Sequence, residues 1–169
     1  MKRIIIATLI LLALFLSSCN KEEVENTNDN TITASDISIE NTKNELSSLD
    51  ALSETIVYSK GSENALDEDY FDYYFSDSSL LEDISDYVYF TSATTSVCEA
   101  GVFKVKDAET KEALLSAFET RKENLISTYE NYSPEDVEVA ENMIKGSFDD
   151  VVWFVMTKEN QSVKEVIEK

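Results

Sequence analysis

Apolar residues follow three different spacings along the chain, and each spacing predicts a different kind of element. Ile4 to Leu16 is an almost unbroken apolar run behind a basic start of Met1, Lys2 and Arg3. That run is too short for a membrane span, which needs about 20 residues, and it has the layout of a secretory leader. From Ser35 to Ser59 the apolar positions Ile37, Leu46, Leu49, Leu52 and Ile56 recur, with Thr42, at roughly helical intervals. With Ser35 as N-cap, they predict one or two amphipathic helices. Gly61 breaks the pattern, and Leu66 to Phe75 then reads as a short helix docked by its aromatic side. Tyr70, Tyr73 and Tyr74 share one helical face, and Phe71 and Phe75 stand one turn apart.

Past Ser79 the period falls towards two. Ser85 to Ser92 and Glu99 to Lys106 predict the strands of an antiparallel hairpin, with Ala93 to Val97 as its loop. Asp107 opens the clearest helix, with Glu109 and Glu112 at the positive end of its dipole and Leu114, Phe118, Leu125, Tyr129 and Tyr132 along one stripe. Ser133 followed by Pro134 is a second start signal, leading through Val139 to Lys145 and a bend at Gly146. Val151 to Met156 is a continuous apolar run and predicts an interior strand. Thr157 is placed to cap a last helix carrying Val163, Val166 and Ile167. The expected fold is α+β, a small and mainly antiparallel sheet of about four strands covered by helices and preceded by an N-terminal helical segment.

The apolar leader changes meaning at its end. Leu16-Ser17-Ser18-Cys19 resembles the lipobox of bacterial lipoproteins, in which a small residue precedes a cysteine that receives diacylglycerol on its sulfur before cleavage. Three segments are therefore expected: a lipoprotein signal peptide over 1–18, a polar lipid-anchored tether over 19–33, and a single α+β domain over 34–169. The steps from Cys19 to Ala34 span on the order of 20 Å as a flexible coil and about 50 Å when extended. Acyl chains on Cys19 would hold the protein on the outer, extracytoplasmic face of the cell membrane. With Cys19 acylated, Cys98 is the remaining thiol and has no partner for an intrachain disulfide; a small buried side chain is its expected role, with intermolecular pairing or a reactive thiol as the alternatives.

Charge and composition remove whole classes of function. Lys and Arg number 14 against 34 Asp and Glu, giving a net charge of -20, and histidine is absent. A polyanion of this kind is not expected to bind nucleic acid. Without histidine there is no Ser-His-Asp or Cys-His machinery. The single Ser-x-x-Lys pairing, Ser18 with Lys21, is cut by the expected cleavage, and the three glycines are too far apart for a phosphate loop. Asp67, Glu68, Asp69 and Asp72 offer hard oxygen ligands for calcium, but in no EF-hand register. The expectation is therefore no enzyme, no cofactor and no resident metal.

What remains is the tyrosine-rich helix. Tyr70, Tyr73 and Tyr74 form the candidate interaction patch, because tyrosine presents a large apolar area with a polar tip at low entropic cost. Lys104, Lys106 and Arg121 are scarce cations in a negative field, placed either to hold an anion or to pair with nearby carboxylates. The leading reading is a module for an unidentified protein or envelope component. The alternative is a small-ligand or cation-binding accessory to a transporter.

Several of these features fall in a known order. The acidic-aromatic helix is followed by a strand, Glu99-Ala-Gly-Val-Phe-Lys-Val-Lys-Asp107, a long helix with Arg121, Tyr132-Ser-Pro134, and Gly146 before a hydrophobic strand. Over about 100 residues this resembles the small lipoproteins of clostridia and relatives catalogued as domain of unknown function 4358, and the lipobox agrees with it. The resemblance departs at the expanded tyrosine segment and at Asp149-Asp150. It implies no activity and no catalytic residues.

Overall fold

The computed structural model describes residues 37–169. The expected signal peptide, the lipidation residue Cys19, the tether and Ser35 lie outside the described residues. The order of elements is α1 (Ile39–Ser47), a 3-10 turn (Asp50–Leu52), β1 (Thr55–Ser59), α2 (Glu68–Phe75), a second 3-10 turn (Ser78–Asp83), β2 (Ile84–Ser92), β3 (Glu99–Val105), α3 (Ala108–Tyr129), α4 (Pro134–Glu141), β4 (Ile144–Phe148), β5 (Val151–Met156) and α5 (Asn160–Ile167). The five strands form one sheet in the order β1-β2-β3-β5-β4, and every neighbouring pair is antiparallel. The fold is α+β, with one strand more than the periodicity predicts. Among the described residues no helix is long and apolar enough to cross a membrane.

Four local readings are corrected. The helical pattern expected through Ser59 ends at Ser47, and Thr55 to Ser59 is a strand. Thr55, Ile56 and Val57 are β-branched, a poor helical run, and pairing with β2 half-buries Val57 and Tyr58 on opposite faces. Gly146 is not a bend but the middle of β4, where a Cβ would come within 2.7 Å of the Trp153 ring. The reversal comes instead at Asp149, with φ of 45°, so Asp149-Asp150 is the two-residue turn of the β4–β5 hairpin. Tyr132 falls beyond the end of α3 and is 62% exposed, and Thr157 is not the N-cap of α5, a position Glu159 takes. The Asp107 cue holds, since it caps α3 by accepting the Thr110 N–H at 2.8 Å, whereas α1 is capped by Ser38, three residues beyond the expected Ser35.

Strand alternation divides the core between two faces of the sheet. On one face α2, α3 and α4 cover Tyr87, Tyr89, Phe103, Val152, Phe154 and Met156. On the other, α1 and α5 cover Val88, Phe90, Ala100, Val102, Val151, Trp153 and Val155. β5 lies between β3 and β4 with every residue buried, as its continuous apolar run requires.

Candidate functional site

The first of these faces carries the candidate site, and α2 builds it. Asp67 accepts the Tyr70 N–H at 2.8 Å, starting the helix, and Ser76 ends it in a left-handed conformation at φ of 62°. Phe71 and Phe75, one turn apart, point inward with ring centroids 4.9 Å apart. They fix the rotation of the helix, and the tyrosines follow from it. Tyr70 is 52% exposed and Tyr73 71% exposed. Tyr74 turns to the boundary and meets Tyr89 edge-on at 5.0 Å. The structure thus separates the three tyrosines of the predicted patch: two are presented outward and Tyr74 supports them.

Beneath this helix lies a charged pair that periodicity alone does not reveal. Glu99 sits in a cross-strand row with Ile56, Thr91 and Met156 and is 3% exposed. Arg121 follows Phe118 by three residues and precedes Leu125 by four, so it projects from the buried stripe of α3. Its guanidinium forks onto the carboxylate, Nη2 to Oε1 at 2.6 Å and Nε to Oε2 at 3.2 Å. Thr91 Oγ1 donates to the same carboxylate at 3.3 Å. A buried carboxylate needs such a partner, and the bidentate geometry supplies it. Burial pulls the Arg121 pKa down, but the charge and hydrogen bonds of Glu99 outweigh it and leave the guanidinium more firmly protonated than usual.

Rings close over the pair. Arg121 lies 5.1 Å from the Tyr74 centroid and 5.8 Å from that of Tyr73. Tyr58 on β1 stands 6.1 Å from both Tyr70 and Tyr74, joining the strand to the helix. Burial, and then the Tyr58 hydroxyl, raise the Tyr74 phenol far above its ordinary pKa. Burial, and then the charge of Glu99, raise Tyr89 as well, with Arg121 partly offsetting them, and its buried hydroxyl has no hydrogen-bond partner. These phenols stay neutral at physiological pH. The assembly presents a rigid aromatic surface over a fixed charge pair.

The other sequence-predicted residues are placed elsewhere. Lys104 donates to the Ile37 carbonyl at 3.4 Å, and Lys106 pairs with Asp83 at 3.3 Å. The three cations do not converge, so pairing accounts for Arg121 and Lys106. Asp67 caps α2, and among the described residues no group of three or more acidic, cysteine or histidine side chains could hold a metal ion. Cys98 is half-buried, donates to the Ala51 carbonyl at 3.1 Å, and has its thiol pushed up to about 11 by burial and by the charges of Glu99 and Glu54. Beside it opens a cavity of about 400 Å³ lined by Asp50, Glu54, Ser92, Asp136 and Lys158. Two of these are already engaged: Asp136 accepts the Val97 N–H at 2.7 Å, and Lys158 faces Glu135 at 3.6 Å.

Ile56, Tyr58, Thr91 and Glu99 are site residues that the sequence reading missed. The available signal was parity, since Glu99 shares its strand face with Phe103 and Val105, so a charge there must enter the core.

Residues 58–157 match the family model described as Domain of unknown function (DUF4358), more than half of the chain, and the chain belongs to that family. No curated protein and no solved structure matches it.

Proposed function

We propose, for this member of a family without an assigned activity, a non-enzymatic binding module that is lipid-anchored through Cys19 on the outer face of the cytoplasmic membrane and docks a protein or envelope component on Tyr70 and Tyr73. The observation that carries the reading is the exposure of two large rings on a helix that cannot roll. Phe71 and Phe75 lock it from below, and Tyr74 and Arg121 buttress it from the side. Pre-ordered tyrosines contribute apolar area without the entropic cost of ordering a mobile side chain. The acidic charge of the domain favours a basic partner and discourages contact with anionic headgroups.

The test is crosslinking in the native membrane with the full-length, tagged protein beside a Tyr70→Ala/Tyr73→Ala variant. A partner recovered with the parent and lost with the variant is expected; recovery from both would end the reading. Cys19→Ser should release the protein from the membrane fraction or leave its leader uncleaved, and unchanged fractionation would refute the anchor.

The cavity beside Cys98 favours a second reading, capture of a small ligand for a transporter. A rise in melting temperature with a small-molecule ligand, lost when Glu54→Ala alters the cavity lining, is the result it requires.

A further inference from the structure

The two edges of the sheet are finished differently. Unpaired edge strands invite pairing by other chains, and proteins usually blunt them with charge, proline or bulges. β4, at one edge, carries Lys145 at its centre row, tied across the sheet to α3 through the Leu115 carbonyl at 2.6 Å and Glu119 at 3.1 Å. β1, at the other, reads Thr-Ile-Val-Tyr-Ser, all strand-favouring or neutral, with no charge, proline or glycine. Lys60, which follows it, turns its ammonium inward to the Ile84 carbonyl at 2.5 Å.

Hydrogen-bond parity shows which groups of β1 face outward. The Ala93 N–H bonds the Glu54 carbonyl and the Lys60 N–H bonds the Tyr87 carbonyl, so the even-numbered residues face β2. Thr55, Val57 and Ser59 therefore direct their backbone groups away from the sheet. The outward groups of Ser59 are used by the following turn: its N–H bonds the Asn64 carbonyl at 3.3 Å, and its carbonyl accepts the Ser62 N–H at 3.2 Å. Among the described residues no strand lies beside Thr55 and Val57. Two donors and two acceptors face outward there, next to Ile56, which is 42% exposed, and to the Tyr58 and Tyr70 rings.

We propose that this edge accepts an extended, basic segment of a partner protein as a sixth strand along Thr55–Val57. The inference rests on the docking reading of Tyr70 and Tyr73 and names what the partner brings to it. The turn at Asn64 closes one end of the slot and limits the added strand to about four residues. Charge selects the occupant. A second copy would set one chain of net charge -20 against another, with the exposed Glu54 at the contact, whereas lysine or arginine at alternate positions meets Glu54 and the faces of Tyr58 and Tyr70.

The test uses the full-length, isotope-labelled protein and a capped hexapeptide of alternating lysine and threonine, with the glutamate–threonine peptide as control. At saturating lysine peptide, amide exchange at Thr55 and Val57 is expected to slow by about tenfold or more, while Ile56 and Tyr58, already bonded, stay unchanged. Val57→Pro removes an outward N–H without touching the ladder and should abolish the effect. Ile56→Lys, which keeps every backbone donor, should weaken peptide binding by about tenfold or more. No slowing at millimolar peptide, equal slowing with the glutamate peptide, or wild-type binding by both variants would overturn the proposal. The two readings separate cleanly. A native partner lost from the tyrosine variant but kept by both edge variants ends the edge proposal alone, and the converse ends the tyrosine reading alone.

Discussion

The two faces of the sheet solve the same burial problem with different side chains. Beneath α1 and α5 the packing is mainly aliphatic, valine against leucine and isoleucine, with Phe90 and Trp153 as its large rings. Beneath α2 and α3 it is aromatic, with Phe118 and Phe154 at 4.5 Å and Phe75 edge-on to Phe103 at 5.5 Å, and it encloses Glu99 and Arg121. An aliphatic face only has to exclude water, so many arrangements of similar volume serve. Rings and a forked ion pair are directional and fix one orientation of the covering helix. The family match also divides the faces. It spans α2, α3 and the ion pair, whereas α1 and α5 fall outside residues 58–157. The matched span thus holds the helices that cover the aromatic face and not those that cover the aliphatic one.

The strongest way to break this contrast is to unpair the charge. Arg121→Met leaves Glu99 buried without its partner, and a loss of about 3–5 kcal/mol in unfolding free energy is expected. Adding Glu99→Gln should restore much of it, because no isolated charge then remains in the core. Chemical denaturation of the three proteins measures both, and a loss below about 1 kcal/mol in the single variant would mean that water reaches the pair.

Each face also holds a glycine that leaves room for a ring, which sharpens the comparison at smaller cost. A Cβ on Gly101 would stand 2.6 Å from the Phe103 ring and 2.8 Å from that of Phe154, on the central strand. One on Gly146, on an edge strand, would first meet the Trp153 ring, at 2.7 Å. Gly101→Ala is expected to cost about 1–3 kcal/mol and Gly146→Ala less, by thermal and denaturant unfolding. The reverse order would make the aliphatic side the more rigid one.

How much of this was legible depended on how local the signal was. The β2–β3 hairpin, α3 and the interior strand β5 announce themselves through period and caps, which are properties of neighbouring residues. β1 reads as helix because Leu49, Leu52 and Ile56 continue the spacing of α1, while the β-branched run Thr55-Ile-Val points the other way and is settled only by β2, some thirty residues distant. β4 was lost for a related reason. Its Gly146 looks like a breaker until Trp153 is seen to need the space. Of the site, Tyr70, Tyr73 and the locking phenylalanines follow from helical spacing. The pairing of Glu99 with Arg121 joins residues on different elements, and no spacing rule encodes it.

Titration separates the faces in a third way. Burial raises Tyr74, Tyr87 and Tyr89 above the ordinary phenol value of 10.0, and all three belong to the aromatic side. A raised acid pKa means that the folded state favours the neutral form. The contribution is fully present below pH about 10, where the unfolded phenols ionise, and is lost as pH climbs above it. Tyrosinate absorbance of these buried rings should therefore rise in a cooperative step coincident with alkaline unfolding. Tyr89→Phe removes a hydroxyl that has no hydrogen-bond partner, so stability should hold or increase by about 1 kcal/mol and the cooperative step should move to higher pH. Tyr87→Phe is the contrast within the same face, because its hydroxyl accepts the Leu66 N–H at 2.7 Å and its loss should destabilise.

The smallest expected effect is the most informative about function. Tyr70 and Tyr73 rest on the aromatic face without belonging to its buried core, so replacing both by alanine should change unfolding free energy by no more than about 0.5 kcal/mol. If the double variant instead unfolds as easily as a core variant, the rings serve as a lid over Arg121 and Glu99, and their exposure has a structural origin. If stability is kept while a partner is lost, the two roles of the aromatic face separate by depth. Phe71 and Phe75 hold the helix, and Tyr70 and Tyr73 are free to be used. An intermediate value would trace to Tyr73, which touches both Tyr74 and Arg121, and single substitutions would show it. Thermal unfolding and partner recovery on the same preparations decide between these outcomes, because a lid and a docking surface predict opposite pairs of results.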